Sequence, residues 1–245
     1  MTMTRKAALA AGVAVALASG GALAWQQVDG AAQDIGVGAN NAVWVIGTDA
    51  QGGGYGIHQR TPAGWARIDG GATEIAVDPA GLPWVVNASQ AIYRRVGSGW
   101  QQLPGSARDI GVGANGAVWV IGTDPQGGGY GIHRWTGSGW ARIDGGGVRI
   151  AVDPSGQPWV VNNSHGIFRR VGSTWQQLPG LGQDIGIGAD GTVWVIGADP
   201  QPGGFGIHRW NGRGWTRVEG GALRVSVDRR GRPWVVNASQ NIYAP

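Results

Sequence analysis

Cysteine is absent from this chain of 245 residues, and lysine occurs once, as Lys6. Without cysteine there is no disulfide framework and no thioether-linked lipid, so an exported protein of this composition has to be stable through a packed core. Charge of one sign is also scarce. The formal balance is +4, two of those charges (Arg5 and Lys6) lie at the amino terminus, and the remaining arginines are dispersed without a run. A nucleic acid or an anionic membrane would need a concentrated basic stripe, so neither is expected as a partner. No stretch has the length or the 3.6-residue spacing of an amphipathic helix.

The chemistry of common catalytic sites is missing as well. No His or carboxylate spacing resembles a zinc site. Calcium is conceivable from the Asp residues near Gly-rich turns, but no EF-hand-like spacing supports it, and the expectation is no cofactor and no metal. Strings such as Gly111-Val-Gly-Ala-Asn-Gly resemble a dinucleotide fingerprint but have no helix after them. Acid/base pairs and nucleophile–His pairs need one asymmetric constellation, whereas the polar residues of interest here occur three times, so no catalytic residue is expected.

Glycine and tryptophan are abundant, at 48 and 14 residues. Disordered chains are poor in aromatics and have no period, but here Asp34, Asp109 and Asp184 each open a copy of one unit, DIGVGANNAVWVIG, DIGVGANGAVWVIG and DIGIGADGTVWVIG, at an offset of 75 residues. Each unit divides again. Trp25, Trp65, Trp100, Trp140, Trp175 and Trp215 alternate in spacing between 40 and 35, which gives three long–short pairs. Every half-unit holds four short apolar runs separated by turn residues, among them Asn115-Gly116, Asp190-Gly191 and the Pro-x-Gly segments at Pro79 and Pro154. Asn-Gly and Asp-Gly between alternating apolar runs are hairpin chemistry. Four strands in about 37 residues describe a β-propeller blade, and six copies predict an all-β, six-bladed propeller of four-stranded antiparallel blades.

The two ends fit each other. Trp25-Gln-Gln-Val matches the fourth run of a blade, as in Trp100-Gln-Gln-Leu, and Asn241-Ile-Tyr-Ala matches a third run with no fourth behind it. The amino-terminal strand is therefore expected to complete the last blade and close the ring, with residues 25–245 as one domain. Ahead of it, residues 1–24 combine a basic start, an Ala/Val/Leu run and the small-residue pattern Ala22-Leu23-Ala24. They read as a signal peptide cleaved after Ala24, which implies a secreted or periplasmic protein with no transmembrane segment in the mature chain.

The long half-units differ from the short ones in the loop between their second and third runs. Loops held on a rigid ring are where binding residues collect. That face is expected to carry Asp49, Gln51 and Tyr55 with Asn87 and Ser89, then Asp124, Gln126 and Tyr130 with Asn162 and Ser164. The third set is Asp199, Gln201 and Phe205 with Asn237 and Ser239. Amide, hydroxyl and carboxylate beside an aromatic ring suit a sugar, whose hydroxyls need donors and acceptors while its C–H face stacks. The same Asp and Asn residues could instead cap turns and bond local backbone. The regularly spaced tryptophans read as packing between blades. His58, His133 and His208 occupy the slot of Tyr93, Phe168 and Tyr243. Trp135 and Trp210 belong by strand parity to the opposite face.

The pattern Trp-x-x-Leu/Val, Asp-Ile-Gly-Val-Gly, Asn-Gly-x-Val-Trp, Ile-Tyr-Arg-Arg and a closing Gly-x-x-Trp resembles the tectonin repeat from Trp25 to Pro245, most clearly from Asp109 to Trp140. Six repeats in about this length are also the layout of fish-egg lectins and of horseshoe-crab lectins that bind lipopolysaccharide. The resemblance implies a multivalent lectin for cell-surface glycans, such as lipopolysaccharide or methylated sugars. The absence of cysteine sets the chain apart from the secreted animal lectins. The alternative carried forward is a non-catalytic protein–protein scaffold of the cell envelope. The sugar and the oligomeric state are left open.

Overall fold

The computed structural model describes residues 23–245. The expected signal peptide lies outside the described residues except for Leu23 and Ala24, and no helix among the described residues is long and apolar enough to cross a membrane. In chain order the strands are β1 (Gln26–Ala31), β2 (Asp34–Val37), β3 (Val43–Gln51), β4 (Gly54–Thr61), β5 (Gly64–Ala72), β6 (Glu74–Val77), β7 (Pro83–Val86) and β8 (Ala91–Val96). They continue with β9 (Gly99–Ser106), β10 (Asp109–Val112), β11 (Val118–Gln126), β12 (Gly129–Trp135), β13 (Trp140–Gly147), β14 (Arg149–Val152), β15 (Pro158–Val161) and β16 (Gly166–Val171). The last are β17 (Thr174–Ile187), β18 (Val193–Gln201), β19 (Gly204–Trp210), β20 (Trp215–Ala222), β21 (Arg224–Val227), β22 (Pro233–Val236) and β23 (Asn241–Ala244).

These strands form antiparallel meanders in a β-propeller arrangement. Strands β2–β5, β6–β9 and β10–β13 are four-stranded sheets, and a fourth is built in the order β1-β23-β22-β21. The amino-terminal strand pairs with the carboxy-terminal one in the expected place, with Gln26 opposite Ala244, Gln27 opposite Tyr243 and Val28 opposite Ile242. Strands β2, β6, β10, β14, β17 and β21 neighbour one another in a closed circuit, β21 lying against β2. Ser226 and Asn41 tie that junction, accepting the backbone N–H of Val37 at 2.9 Å and of Arg229 at 3.1 Å.

One feature departs from six separate sheets. Strands β14 to β20 form a single seven-stranded sheet, because β17 runs unbroken for 14 residues and pairs with β16 by its first half and β18 by its second. The cause is local. Gly182 pairs with Gly197, whereas the matching positions ahead of β2 and β10 hold Ala32 and Ala107 opposite Gly47 and Gly122. With no Cβ on either side, the backbones stay within pairing distance and the strand does not break.

The turns follow the residue types. Gly116 and Gly191 take φ of 82° and 84°, and Asn41, in the same place, takes 68°, the left-handed region that Asn tolerates best after Gly. The core lies between facing sheets. One cluster joins Trp84, Val86 and Ile92 to Ile110, Val118 and Val120, and another joins Val236 and Ile242 to Ile35, Val43 and Val45 across the closing junction. Around the outside, the indole N–H of Trp25, Trp65, Trp100, Trp140, Trp175 and Trp215 donates to a carbonyl on the preceding outer strand at 2.5–3.0 Å. The regular tryptophans thus join sheet to sheet, each with its one polar atom satisfied.

Candidate functional site

The loop-face residues separate into three environments. The aspartates fold back onto their own sheet. Asp49, Asp124 and Asp199 each place Oδ1 at 2.9 Å from the Nε2 of His58, His133 and His208. Their Oδ2 atoms face the Nε of Arg67, Arg142 and Arg217 at 3.4, 3.3 and 3.8 Å. Glycine makes the room: a Cβ on Gly131 would collide with the Asp124 carboxylate, and Gly56 and Gly206 stand in the same relation to Asp49 and Asp199. The hydrogen bond from His58 holds the Asp49 carboxyl below the usual carboxylate range. At Asp124 and Asp199 burial is the largest single influence and pulls upward, and the histidine, a local backbone hydrogen bond and the nearby arginine together outweigh it, so both carboxyls are lowered. Gln51 and Gln201 turn an amide toward the same carboxylates at 3.4 and 3.5 Å, while Gln126 is exposed. The histidines therefore partner the aspartates; they pair opposite Val45, Val120 and Val195 as Tyr93, Phe168 and Tyr243 pair opposite Val85, Val160 and Val235.

The asparagines sit at three equivalent clefts between adjacent sheets. In the first, Asn87 joins Tyr93, Trp100, Ile57, Gly53 and Gly70 around a cavity of about 200 Å³. The second holds Asn162 with Phe168, Trp175, Val160, Gly128 and Gly145 around about 270 Å³. Asn237 with Tyr243, Trp25, Ile207, Gly203 and Gly220 forms the third, again about 200 Å³. Trp25 directly precedes strand β1, so this cleft exists only because the ring is closed by the amino-terminal strand. Each asparagine commits its Oδ1 to the backbone of its own turn, accepting from Ala91 at 2.9 Å, from Gly166 at 2.7 Å and from Asn241 at 2.9 Å. What remains for a ligand is an amide Nδ2 donor, an indole and a second aromatic ring (Tyr93, Phe168 or Tyr243), beside glycine backbone that lets a ligand come close. Ser89, Ser164 and Ser239 are exposed on the same turns and do not line the clefts.

Tyr130 and Phe205 line a third place, the mouth of the central channel, a cavity of about 460 Å³, whereas Tyr55, their counterpart, does not line it; all three also pack against the core beside them. At the mouth five inner strands begin with a charged residue, Asp34, Glu74, Asp109, Arg149 and Arg224, and β17 carries Asp184 at the equivalent repeat position. One oxygen of each aspartate accepts the N–H of the neighbouring inner strand, at Ile75, Ile150 and Val225, over 2.7–2.8 Å. Arg149 reaches Glu74 at 3.1 Å, Asp109 at 3.8 Å and Asp184 at 3.9 Å. Burial raises the Asp34 and Asp184 carboxyls and brings Asp109 to about 7. The acid field of Asp109 and Glu74 overcomes burial at Arg149 and holds its guanidinium charged. A catalytic reading calls for an asymmetric carboxylate cluster in this channel, and Glu74, which breaks the alternation of Asp with Arg, makes the ring asymmetric.

Sequence reasoning missed two of these sets. Trp25, Trp100 and Trp175 were read as packing, and they both pack and wall the clefts. The signal for the charged ring was Glu74, Arg149 and Arg224 at one repeat position, a charge change in an otherwise similar unit. Trp135 and Trp210 lie at the end of the sheet opposite the long loops, each tilted against its hairpin partner, Trp140 or Trp215, with centroids 4.9 Å apart. Among the described residues no group of three His, Asp or Glu is placed to hold a metal ion.

Solved structures similar to this one share the fold at low identity. A gluconolactonase from Xanthomonas campestris superposes with a TM-score of 0.62 at 16% identity, over 90% of this chain and 87% of its own. YCF48 bound to a D1 peptide gives 0.59 at 14% identity, over 91% and 96%. A chain of the mitotic checkpoint complex gives 0.63 at 8%, over 98% of both. Among curated proteins none matches significantly in sequence. The tectonin domain model matches residues 45–127, 72–159 and 147–245, which together span most of the described chain. The repeat, the sheet-to-sheet tryptophans and this match agree: the chain belongs to the tectonin domain family.

Proposed function

We propose that this protein is an exported, non-catalytic, multivalent lectin that binds cell-surface glycans such as lipopolysaccharide or methylated sugars. Counting β17 with the sheets on both its sides gives six blades, closed by β1, and the export reading rests on residues 1–24. The observation that carries the proposal is the set of three equivalent clefts, each with an indole, a second aromatic ring and one uncommitted amide. Mostly apolar walls with a single amide suit the C–H face or methyl ether of one sugar ring better than a polyhydroxylated chain. Three such clefts on one rigid ring suit a ligand that repeats across a surface.

Glycan-array binding tests this. Selective signal on methylated or lipopolysaccharide glycans that falls in the Asn87→Ala, Asn162→Ala, Asn237→Ala triple variant is the expected result; a flat array counts against it. The second reading, a protein scaffold of the cell envelope, draws on the fold shared with a protein whose structure holds a bound peptide. Capture of an envelope protein that free sugars do not displace would favour it.

A further inference from the structure

We propose that the mouth of the central channel is a second, single-copy binding site, and that it takes a small organic acid with an apolar body. This goes beyond the lectin reading in place, copy number and ligand. The threefold repeat breaks down here: where Gln33 and Gln183 stand in two copies the other has Arg108, and where Glu74 stands in one the others have Arg149 and Arg224. Arg108, Arg149 and Arg224 consequently line one cavity of about 460 Å³ together with Tyr130, Phe205 and Leu223. That volume is within the range of small-molecule sites, and it is larger than any of the three peripheral clefts.

The guanidiniums have donors to spare. Arg224 meets its carboxylates only at 3.6 Å (Asp34) and 4.0 Å (Glu74), too long for hydrogen bonds, and its Nε is out of contact with solvent and has no acceptor among the described residues. Arg149 has one close contact, to Glu74 at 3.1 Å. Arg108 lies over Tyr130, its Cζ 4.0 Å from the ring centroid, and both residues line the cavity. A guanidinium is a planar fork matched to an oxyanion and gives up its water readily, so this trio suits a carboxylate. Tyr130, Phe205 and Leu223 then cover the body of the ligand.

The carboxylates nearby do not forbid an anion. Glu74 is spanned by both ring arginines. Asp34, Asp109 and Asp184 turn one oxygen each to a strand N–H and are buried, which raises all three toward the neutral form. Asp109, brought to about 7, is partly protonated near neutral pH, which thins the negative charge beside the cavity.

Calorimetry with 2-naphthoate, its neutral analogue 2-naphthylmethanol and the cation 2-naphthylmethylamine tests the proposal on the full mature chain. Naphthoate is expected to saturate one site per chain, with the alcohol and the amine weaker by about tenfold or more, the loss of a charge-assisted pair. Arg224→Gln should weaken naphthoate by a similar factor. Arg108→Gln should do the same, and since it installs the residue of the other two copies it guards against a folding artefact. Glycan binding by Arg108→Gln should be unchanged, which separates failure here from failure of the lectin reading. Three naphthoates per chain, equal affinity for the alcohol or the amine, indifference to both substitutions, or no saturation would each overturn the proposal.

Discussion

Three aspartates sit on inner strands where burial works against their charge, and this gives the protein an unusual dependence on pH. The Asp34, Asp109 and Asp184 carboxyls are all raised, Asp109 to about 7. Below the unfolded value of about 4 they are protonated in both states and cost the fold nothing. As pH rises toward and through about 7, the unfolded chain ionises first and the folded state is penalised. Melting temperature should therefore fall by several degrees between about pH 4.5 and pH 7.5. Asp109→Asn keeps an acceptor for the Ile150 N–H and should flatten that slope; a profile that rises over this range would contradict the assignment. Asp49, Asp124 and Asp199 are shifted the other way, so what they contribute is lost only below about pH 4, outside that window.

Among the elements, β1 has a role out of proportion to its six residues. It completes the outer edge of the last sheet, holds the adjoining Trp25 in the third cleft and so links that sheet to the preceding one through the Trp25 bond to the Glu219 carbonyl. Trp25→Ala should cost about 2 kcal/mol, below the range of about 3–5 kcal/mol for a fully buried tryptophan because the indole is only half-buried. Removal of residues 25–31 should lower the melting temperature further than any single tryptophan substitution. A truncated chain melting with the full-length protein would mean that closure contributes nothing. The pairing of β1 with β23 was legible because a fourth-strand sequence stood at one end and its place was vacant at the other. The continuity of β17 was not, since it depends on two glycines meeting across a rung, Gly182 and Gly197, which are 15 positions apart in the chain.

At the scale of the whole molecule, the three clefts share one rigid ring, and the proposed lectin function would draw on their simultaneous engagement. A single Asn162→Ala substitution should leave two clefts and change the affinity for free sugar at those two very little. Retention on a glycan-coated surface should nevertheless fall by about tenfold or more, because each added contact multiplies avidity. Equal loss for free and surface-bound sugar would indicate independent sites. Surface-plasmon dissociation rates on dense and sparse glycan layers separate the two cases.

The sequence by itself determined the repeat, the strands and their turns, the alternation of long and short units and the complementarity of the two ends. Each of these is written in local spacing, in Asn-Gly turns, in alternating apolar runs and in tryptophans on a fixed register. Only the tertiary structure decided which polar residues meet. It drew Asp49 and its counterparts into pairs with histidine, placed Asn87 beside Trp100 across a sheet boundary, and gathered Asp34, Glu74, Asp109, Arg149, Asp184 and Arg224 around one axis. Those six lie 35 or 40 residues apart in sequence order, and the physical reason they share a site is ring closure, which brings the same repeat position of every inner strand to one opening.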